Sequence, residues 1–188
     1  MRAGRIHIMG APGAGTTTVG RALASTLALP HHDTDDYYWR PSDPPYRNPR
    51  PLEERLYLAR EMFLPRPAWV VSGSLESWGP DVAAMLDLVV FLLVPTEVRL
   101  ARLRAREACL FGEDVIGKGG WRHQEAEEFF AWASHYDDDD GSREGRSRAK
   151  HEAWLATLSC PVQRIDGTRA IEAIVMDIVQ FRMASSLP

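Results

Sequence analysis

Apolar positions along the chain switch between short continuous runs and helical periodicity. Arg5 to Met9 is an apolar run closed by glycine, which predicts a buried strand. From Thr17 to Leu27 the positions Val19, Ala22, Leu23, Thr26 and Leu27 recur at helical spacing until Pro30 stops the pattern. Pro30 to Asp36 reads as a second short strand ending in acids. A Pro-rich loop from Pro41 to Pro51 then leads into a helix over Leu52 to Leu64, with Pro51 at its first turn. Trp69 to Gly73 and Leu86 to Val94 predict the third and fourth strands. Thr96 to Leu110 sets Val98, Leu100, Leu103 and Ala105 among four arginines, an amphipathic helix with a basic face. The texture changes at Phe111: Gly117-Lys118-Gly119-Gly120 is hinge-like, Gln124 to Trp132 is helical and Asp137 to Arg148 is a charged turn, together a mobile insertion. His151 to Leu158 returns to a helix, Pro161 to Ile165 is a fifth strand and Ile171 to Phe181 a closing helix.

Strands alternating with helices predict an α/β fold, a mostly parallel sheet covered on both faces, with ligands outside the carboxyl ends of the strands. A chain of 188 residues suits one compact domain, and 45% apolar with 26% charged residues is a globular composition. The 22 basic and 26 acidic residues leave a net charge of −4, an excess matched by the run Asp137 to Asp140. A balanced chain without a continuous basic stripe argues against a nucleic-acid or membrane-surface partner. The longest apolar run, Leu86 to Pro95, is too short to span a bilayer, and no long apolar segment follows Arg2 and Arg5, so a cytoplasmic location is expected. Cys109 and Cys160 have no metal-ligand or CxxC spacing and read as reduced thiols. A monomer or small homo-oligomer is expected.

Gly10-Ala11-Pro12-Gly13-Ala14-Gly15-Thr16-Thr17 has the G-x-x-x-x-G spacing of a phosphate loop between a predicted strand and a predicted helix. Small residues let consecutive backbone N–H groups face the phosphates, Thr18 continues into the helix, and the helix N-terminus adds attraction. The dinucleotide pattern G-x-G-x-x-G fails at Thr18. Thr17 supplies the hydroxyl that such loops place on Mg²⁺, whereas Thr16 stands where they carry lysine. Losing that cation costs about 3–4 kcal/mol of transition-state stabilisation in comparable electrostatic sites. Another cation must therefore reach the γ-phosphate, or the protein binds nucleotide without efficient transfer. The basic residues, 20 arginines against only Lys118 and Lys150, include arginines elsewhere that could serve.

These features resemble the adenylate-kinase-related P-loop kinases, a group that includes adenylate, cytidylate, shikimate and gluconate kinases. The phosphate loop, Asp33 to Trp39 after the second strand, and Ile165-Asp166-Gly167-Thr168-Arg169 after the fifth carry the likeness. It implies a three-layer P-loop NTP hydrolase fold with a five-stranded parallel sheet: core 1–36, 68–110 and 149–188, a small substrate-binding insertion at 37–67 and a lid at 111–148. It implies an ATP- and Mg²⁺-dependent kinase acting on a nucleotide, nucleoside or other small hydroxyl or phosphate acceptor. Asp33, with Thr17, would hold the Mg²⁺ shell, and Asp35 would hold and deprotonate the acceptor. Two apart on a strand end, the two acids are expected on one face, the alternative being that they end the strand and cap the next turn. Arg102 would lie beside the adenine with Gly167 and Thr168, and Arg106 would approach the phosphates or else form a surface ion pair with Glu107 or another acid. Arg99 and Arg104 are expected in solvent. Arg143, Arg146, Arg148 and Lys150 form a second basic cluster, which either supplies the charge that Thr16 lacks, with Arg148 as a catalytic candidate, or is a solvated face. Asp35, Asp36, Tyr38, Gly73 and Ser74 would bind the acceptor.

Around the third strand the sequence Val71-Ser72-Gly73-Ser74-Leu75-Glu76 lacks the Asp and Arg of adenylate kinases, and Arg40 is out of register for AMP phosphate. Tyr37, Tyr38, Trp39 and Trp78 either stack on the acceptor or fill the insertion's core. Arg47, Arg50, Arg55 and Arg60 either face an anionic acceptor or pair with Glu53, Glu54 and Glu61. His31 and His32 carry no expected role. The alternative function is a nucleotide-binding sensor with little or no turnover, which Thr16 and Ser72 favour.

Overall fold

The computed structural model describes residues 4–138, 142 and 145–184. Five strands, β1 (Arg5–Gly10), β2 (His31–Asp33), β3 (Trp69–Ser72), β4 (Leu88–Leu93) and β5 (Val162–Asp166), form one sheet in the order β2-β3-β1-β4-β5. The sheet is all parallel with helices on both faces. The helices are α1 (Thr16–Leu27), α2 (Thr34–Tyr38), α3 (Leu52–Met62), α4 (Pro80–Ala83), α5 (Thr96–Phe111), α6 (Glu113–Ile116), α7 (His123–Ser134), α8 (Arg148–Leu155) and α9 (Ile171–Ala184). Pairing runs from Arg5↔Trp69 to Ile8↔Ser72 between β1 and β3, and from Ile6↔Leu88 to Gly10↔Leu92 between β1 and β4. Ile6, Ile8, Val70, Val71, Val89 and Val90 are fully buried. Strands covered on both faces carry continuous apolar runs, which is why these were legible without alternation. Parallel strands bring Gly10, Asp33, Ser72 and Asp166 to one edge of the sheet. β3 and β4 flank β1, so the end of β1 lies where strand order reverses, the position at which open α/β sheets bind ligands.

The chain divides into two compact units: one from the described parts of Met1–Gly10, Gly15–Leu92 and Leu158–Pro188, the other from those of Ala11–Ala14 and Leu93–Thr157. The first holds the sheet. Its core includes an aromatic group in which Tyr37 meets Phe63 and Trp78 edge-on, with ring centroids 5.4 and 5.9 Å apart, and Phe63 meets Trp69 at 5.0 Å. Tyr37 and Trp78 are buried and thus fill the core. The second unit packs α5 against α7 through Leu103, Ala126, Phe130 and Ala133.

Two local expectations are corrected. The second strand ends at Asp33, not Asp36, because the Asp33 carboxylate accepts the Asp35 N–H and caps α2, whose first turn also favours the acids Asp35 and Asp36. Asp33 and Asp35 therefore occupy a helix start, not one strand face. Arg99 is fully buried, not solvated, on the α5 face it shares with Leu103 and Glu107. Arg104 is exposed, its guanidinium 4.9 Å from the Phe130 ring centroid. Of the charged turn, Asp139, Asp140 and Arg143 lie outside the described residues.

Candidate functional site

The phosphate loop leaves β1 at Gly10 and enters α1 at Thr16. Gly13 and Gly15 sit at φ +81 and +89, the left-handed region that favours glycine. Space demands glycine at 13 as well: a Cβ there would lie 2.6 Å from the Arg99 carbonyl oxygen. No side chain caps α1, so its N-terminus presents backbone N–H groups and the positive end of its dipole. Arginines of α5 hold two loop carbonyls. Arg99 Nη1 donates to Pro12 O at 3.3 Å, and Arg102 Nη1 donates to Ala14 O at 3.3 Å. In a planar trans peptide the N–H points opposite to the C=O, so the N–H groups of Gly13 and Gly15 are turned away from these arginines. Arg102, expected beside adenine, is thus exposed but bonded to the loop itself.

In the sheet-bearing unit, Thr17 Oγ1 donates to Asp33 Oδ2 at 2.7 Å, while Asp33 Oδ1 accepts the Asp35 N–H at 3.1 Å. The two residues expected at a Mg²⁺ shell are therefore brought together. A hydroxyl and a carboxylate are hard oxygen donors, and Mg²⁺ is commonly held by one or two such groups plus phosphate and water. No group of three or more His, Cys, Asp or Glu side chains able to hold a metal occurs among the described residues. The donor set fits Mg²⁺ shared with phosphate and not a closed protein cage.

Asp35 and Asp36 are exposed in the first turn of α2, and Tyr38 is half-buried at its end under the Arg55 guanidinium, 4.4 Å from the ring centroid. Arg50 Nη1 donates to the carbonyls of Asp36, Tyr37 and Trp39, closing the C-terminus of α2. Arg55 Nε donates to Arg50 O at 2.9 Å, and Arg40 forms an ion pair with Glu54. After β3, Ser74 N donates to Thr34 Oγ1 at 3.0 Å, and Gly73 at φ +107 leaves the room that Thr34 Oγ1 occupies. The Ser74 hydroxyl is buried without a hydrogen-bond partner among the described residues. Burial lowers the pKa of both His31 and His32; His31 bonds Ser72 Oγ and His32 bonds the Tyr37 hydroxyl. Thr168 N and Oγ1 both donate to Asp166 Oδ1, at 2.9 and 2.7 Å, which lowers the Asp166 pKa; Gly167 is buried between them.

The second unit contains what sequence reasoning missed. Each of the five N–H donors of Arg99 has an acceptor: Val94 O, Pro12 O, Ala133 O, Thr96 Oγ1 and Asp137 Oδ2. Asp137 Oδ2 also accepts from Thr96 Oγ1 at 2.6 Å, and Asp137 Oδ1 accepts from Arg148 Nε at 2.8 Å. Burial opposes ionisation of Asp137, but the bonds from Thr96 and Arg99 and the charge of Arg148 outweigh it, and its pKa is lowered. The spacing of Arg99 and Glu107, each four residues from Leu103, could have signalled that they share its buried face. Arg106 is exposed and lies 3.6 Å from Glu107, which also pairs with Arg122 at 3.4 Å. Lys150 Nζ donates to Gly145 O at 3.2 Å, and Arg146 lies over the Trp132 ring.

No protein-family model matches the chain. Solved structures that share its fold include shikimate kinases and a gluconokinase. A shikimate kinase from Acinetobacter baumannii in complex with shikimate has a TM-score of 0.54 at 16% identity, covering 99% of this chain and 96% of that one. A shikimate kinase from Aquifex aeolicus has a TM-score of 0.51 at 13% identity, covering 97% and 98%. A gluconokinase from Sinorhizobium meliloti 1021 has a TM-score of 0.51 at 16% identity, covering 99% of each chain. At these identities the likeness shows the P-loop kinase fold. In sequence, the uncharacterized protein YqaC of Bacillus subtilis (strain 168) is 39% identical over 176 residues, 94% of this chain and 96% of the relative, and the chain belongs to the same family as YqaC.

Proposed function

We propose that the protein is an ATP- and Mg²⁺-dependent small-molecule kinase that transfers the γ-phosphoryl group of ATP to an acceptor hydroxyl. The observation that carries the reading is the 2.7 Å bond from Thr17 to Asp33, which joins the first turn after the phosphate loop to the end of β2. Thr17 and Asp33 would hold Mg²⁺, which when bound neutralises phosphate charge and orients the oxygens around it. The N–H groups of Gly13, Gly15 and the first turn of α1 would bind the phosphates, with Gly10, Ala11, Pro12 and Ala14 shaping the loop. Thr168 and Gly167 would border the nucleotide base. Asp35, exposed in the first turn of α2, would take the proton of the acceptor hydroxyl as the hydroxyl oxygen bonds the γ-phosphorus. The bond from that phosphorus to the bridging oxygen breaks, and ADP leaves.

Three of the arginines near the acceptor segment, Arg40, Arg50 and Arg55, are engaged within the chain, which favours a hydroxyl acceptor over a phosphate one. Arg40 pairs with Glu54, Arg50 closes α2, and Arg55 is bonded to Arg50 O and stacked on Tyr38. Asp35, Asp36, Tyr38, Gly73 and Ser74 would then contact a neutral polyol or nucleoside. The second reading, a nucleotide sensor without efficient transfer, draws on Thr16 and on the pairing of both candidate cations, Arg106 with Glu107 and Arg148 with Asp137. ADP release from Mg-ATP across polyols, nucleosides and nucleoside monophosphates separates the two. The kinase reading expects release dependent on a neutral hydroxyl compound; tight ATP binding with no acceptor-dependent release supports the sensor.

A further inference from the structure

Arg99 brings a buried positive charge to the phosphate loop from the α5 side. Its side chain is fully buried, and all five of its donors are used. A guanidinium so placed is stable only with a fixed counter-charge, and Asp137 supplies it through Oδ2 at 2.7 Å. The bond from Arg99 to Pro12 O does more than hold the loop. A charged donor on a carbonyl polarises the whole peptide, so the Gly13 N–H on its opposite end becomes a stronger donor. The other oxygen of Asp137 grips Arg148 in a paired contact, Nε at 2.8 Å and Nη2 at 2.7 Å. One carboxylate thus holds two arginines, and the cluster keeps a net charge of one positive unit.

We propose that Asp137 is a positioning residue of the phosphate site: it fixes Arg99 against Pro12 O and holds Arg148 on its second oxygen, so that loop conformation and positive charge are set together. The proposal rests on the reading of the loop as a phosphate site. Charge is thereby delivered to the loop segment Ala11–Ala14 through one of its own peptides. Arg148, at the outer end of the cluster, is the member with an exposed side chain.

Two measurements on the full chain test it. The first is amide hydrogen exchange in the ligand-free protein at Ala14, whose N–H donates to Ala11 O at 3.0 Å inside the loop. Asp137→Asn should accelerate exchange at Ala14 by about tenfold or more while amides of β1 and β4 stay protected. Arg148→Ala, a change at an exposed side chain that leaves Asp137 on Arg99, should accelerate it less. Unchanged exchange at Ala14 in Asp137→Asn overturns the proposal, whether or not ATP binds. The second is the affinity for Mg-ATP. Asp137→Asn raises the cluster charge, so a role through charge alone demands tighter binding, whereas positioning demands binding weaker by about tenfold and a kcat that falls with it. Tighter binding in Asp137→Asn also overturns the proposal. A wild-type protein that binds no Mg-ATP defeats the phosphate-site reading, and exchange at Ala14 still decides whether Asp137 sets the loop.

Discussion

The Thr17 hydroxyl donates to the Asp33 carboxylate at 2.7 Å, and the other oxygen of the same carboxylate accepts the N–H of Asp35. Asp33 therefore joins the start of α1 to the start of α2, and its two tasks are separable by substitution. Asp33→Asn keeps an acceptor for the cap but loses the charge, so stability should change little while Mg²⁺-dependent turnover falls by about a hundredfold or more. Asp33→Ala should in addition lower stability by about 1 kcal/mol through loss of the cap. Thermal melts and steady-state ADP release on both variants check the split.

Gly13 is constrained by both conformation and space, since its φ is +81 and a Cβ would meet the Arg99 carbonyl at 2.6 Å. Gly13→Ala should destabilise the protein by about 1–3 kcal/mol and weaken Mg-ATP binding, because the loop must shift to admit the methyl group. Gly119, also at positive φ but with nothing within 4 Å of where a methyl group would sit, is the control. Gly119→Ala should cost less and leave nucleotide affinity unchanged, as titration calorimetry would show.

Stability should fall in acid through Asp137. Its pKa is lower in the folded chain than the ordinary value of about 3.9, so its contribution is fully present above about pH 4. That contribution is lost as pH falls through the folded value. Melts of the wild type should therefore lose stability below about pH 4 more steeply than those of Asp137→Asn. At neutral pH, Asp137→Ala should cost about 3–5 kcal/mol, since it leaves the guanidinium of Arg99 buried without its counter-charge.

His31 and His32 act in a milder window. Burial lowers both pKa values, so the unfolded chain takes up protons first as pH drops below about 6.5, and stability declines from there toward the folded values. His31→Gln and His32→Gln should each flatten the decline between about pH 6.5 and 5 in chemical denaturation. An unchanged slope would remove these histidines from the account.

Much of the sheet was legible because β1, β3 and β4 are buried on both faces, so that β3 and β4 appear as near-continuous apolar runs and β1 is interrupted within its apolar stretch by the buried His7 alone. The boundary at Asp33 was not, since an acid followed two residues later by another fits a strand end as well as a helix cap. The bond from Asp35 N to Asp33 Oδ1 and the helical bond from Trp39 N to Asp35 O decide between them. Thr17 and Asp33 are candidates by motif and resemblance, and the structure brings their side chains into contact. Arg99 was hidden among the four arginines of α5, because its burial depends on acceptors distant in sequence: Pro12, Ala133 and Asp137. Asp137 in turn looked like the first residue of a solvated acidic run, and only its pairing with two arginines sets it apart.

Thr16 stands at the first position of α1, where phosphate loops carry lysine. Thr16→Lys should raise kcat by about tenfold or more with a smaller change in the KM for ATP, because the added ammonium acts on charge that develops during transfer. A KM effect without a kcat effect would place the lysine on ground-state binding alone.

Transfer of the γ-phosphoryl group to a hydroxyl is tested most directly by ³¹P NMR of the protein with Mg-ATP and a panel of neutral polyols and nucleosides. A new phosphate monoester resonance should grow as the γ-resonance declines and ADP appears, abolished in Thr17→Ala and strongly slowed in Asp35→Asn. ATP that binds tightly and stays intact, or that yields only inorganic phosphate with every acceptor, would contradict a kinase acting on a neutral hydroxyl.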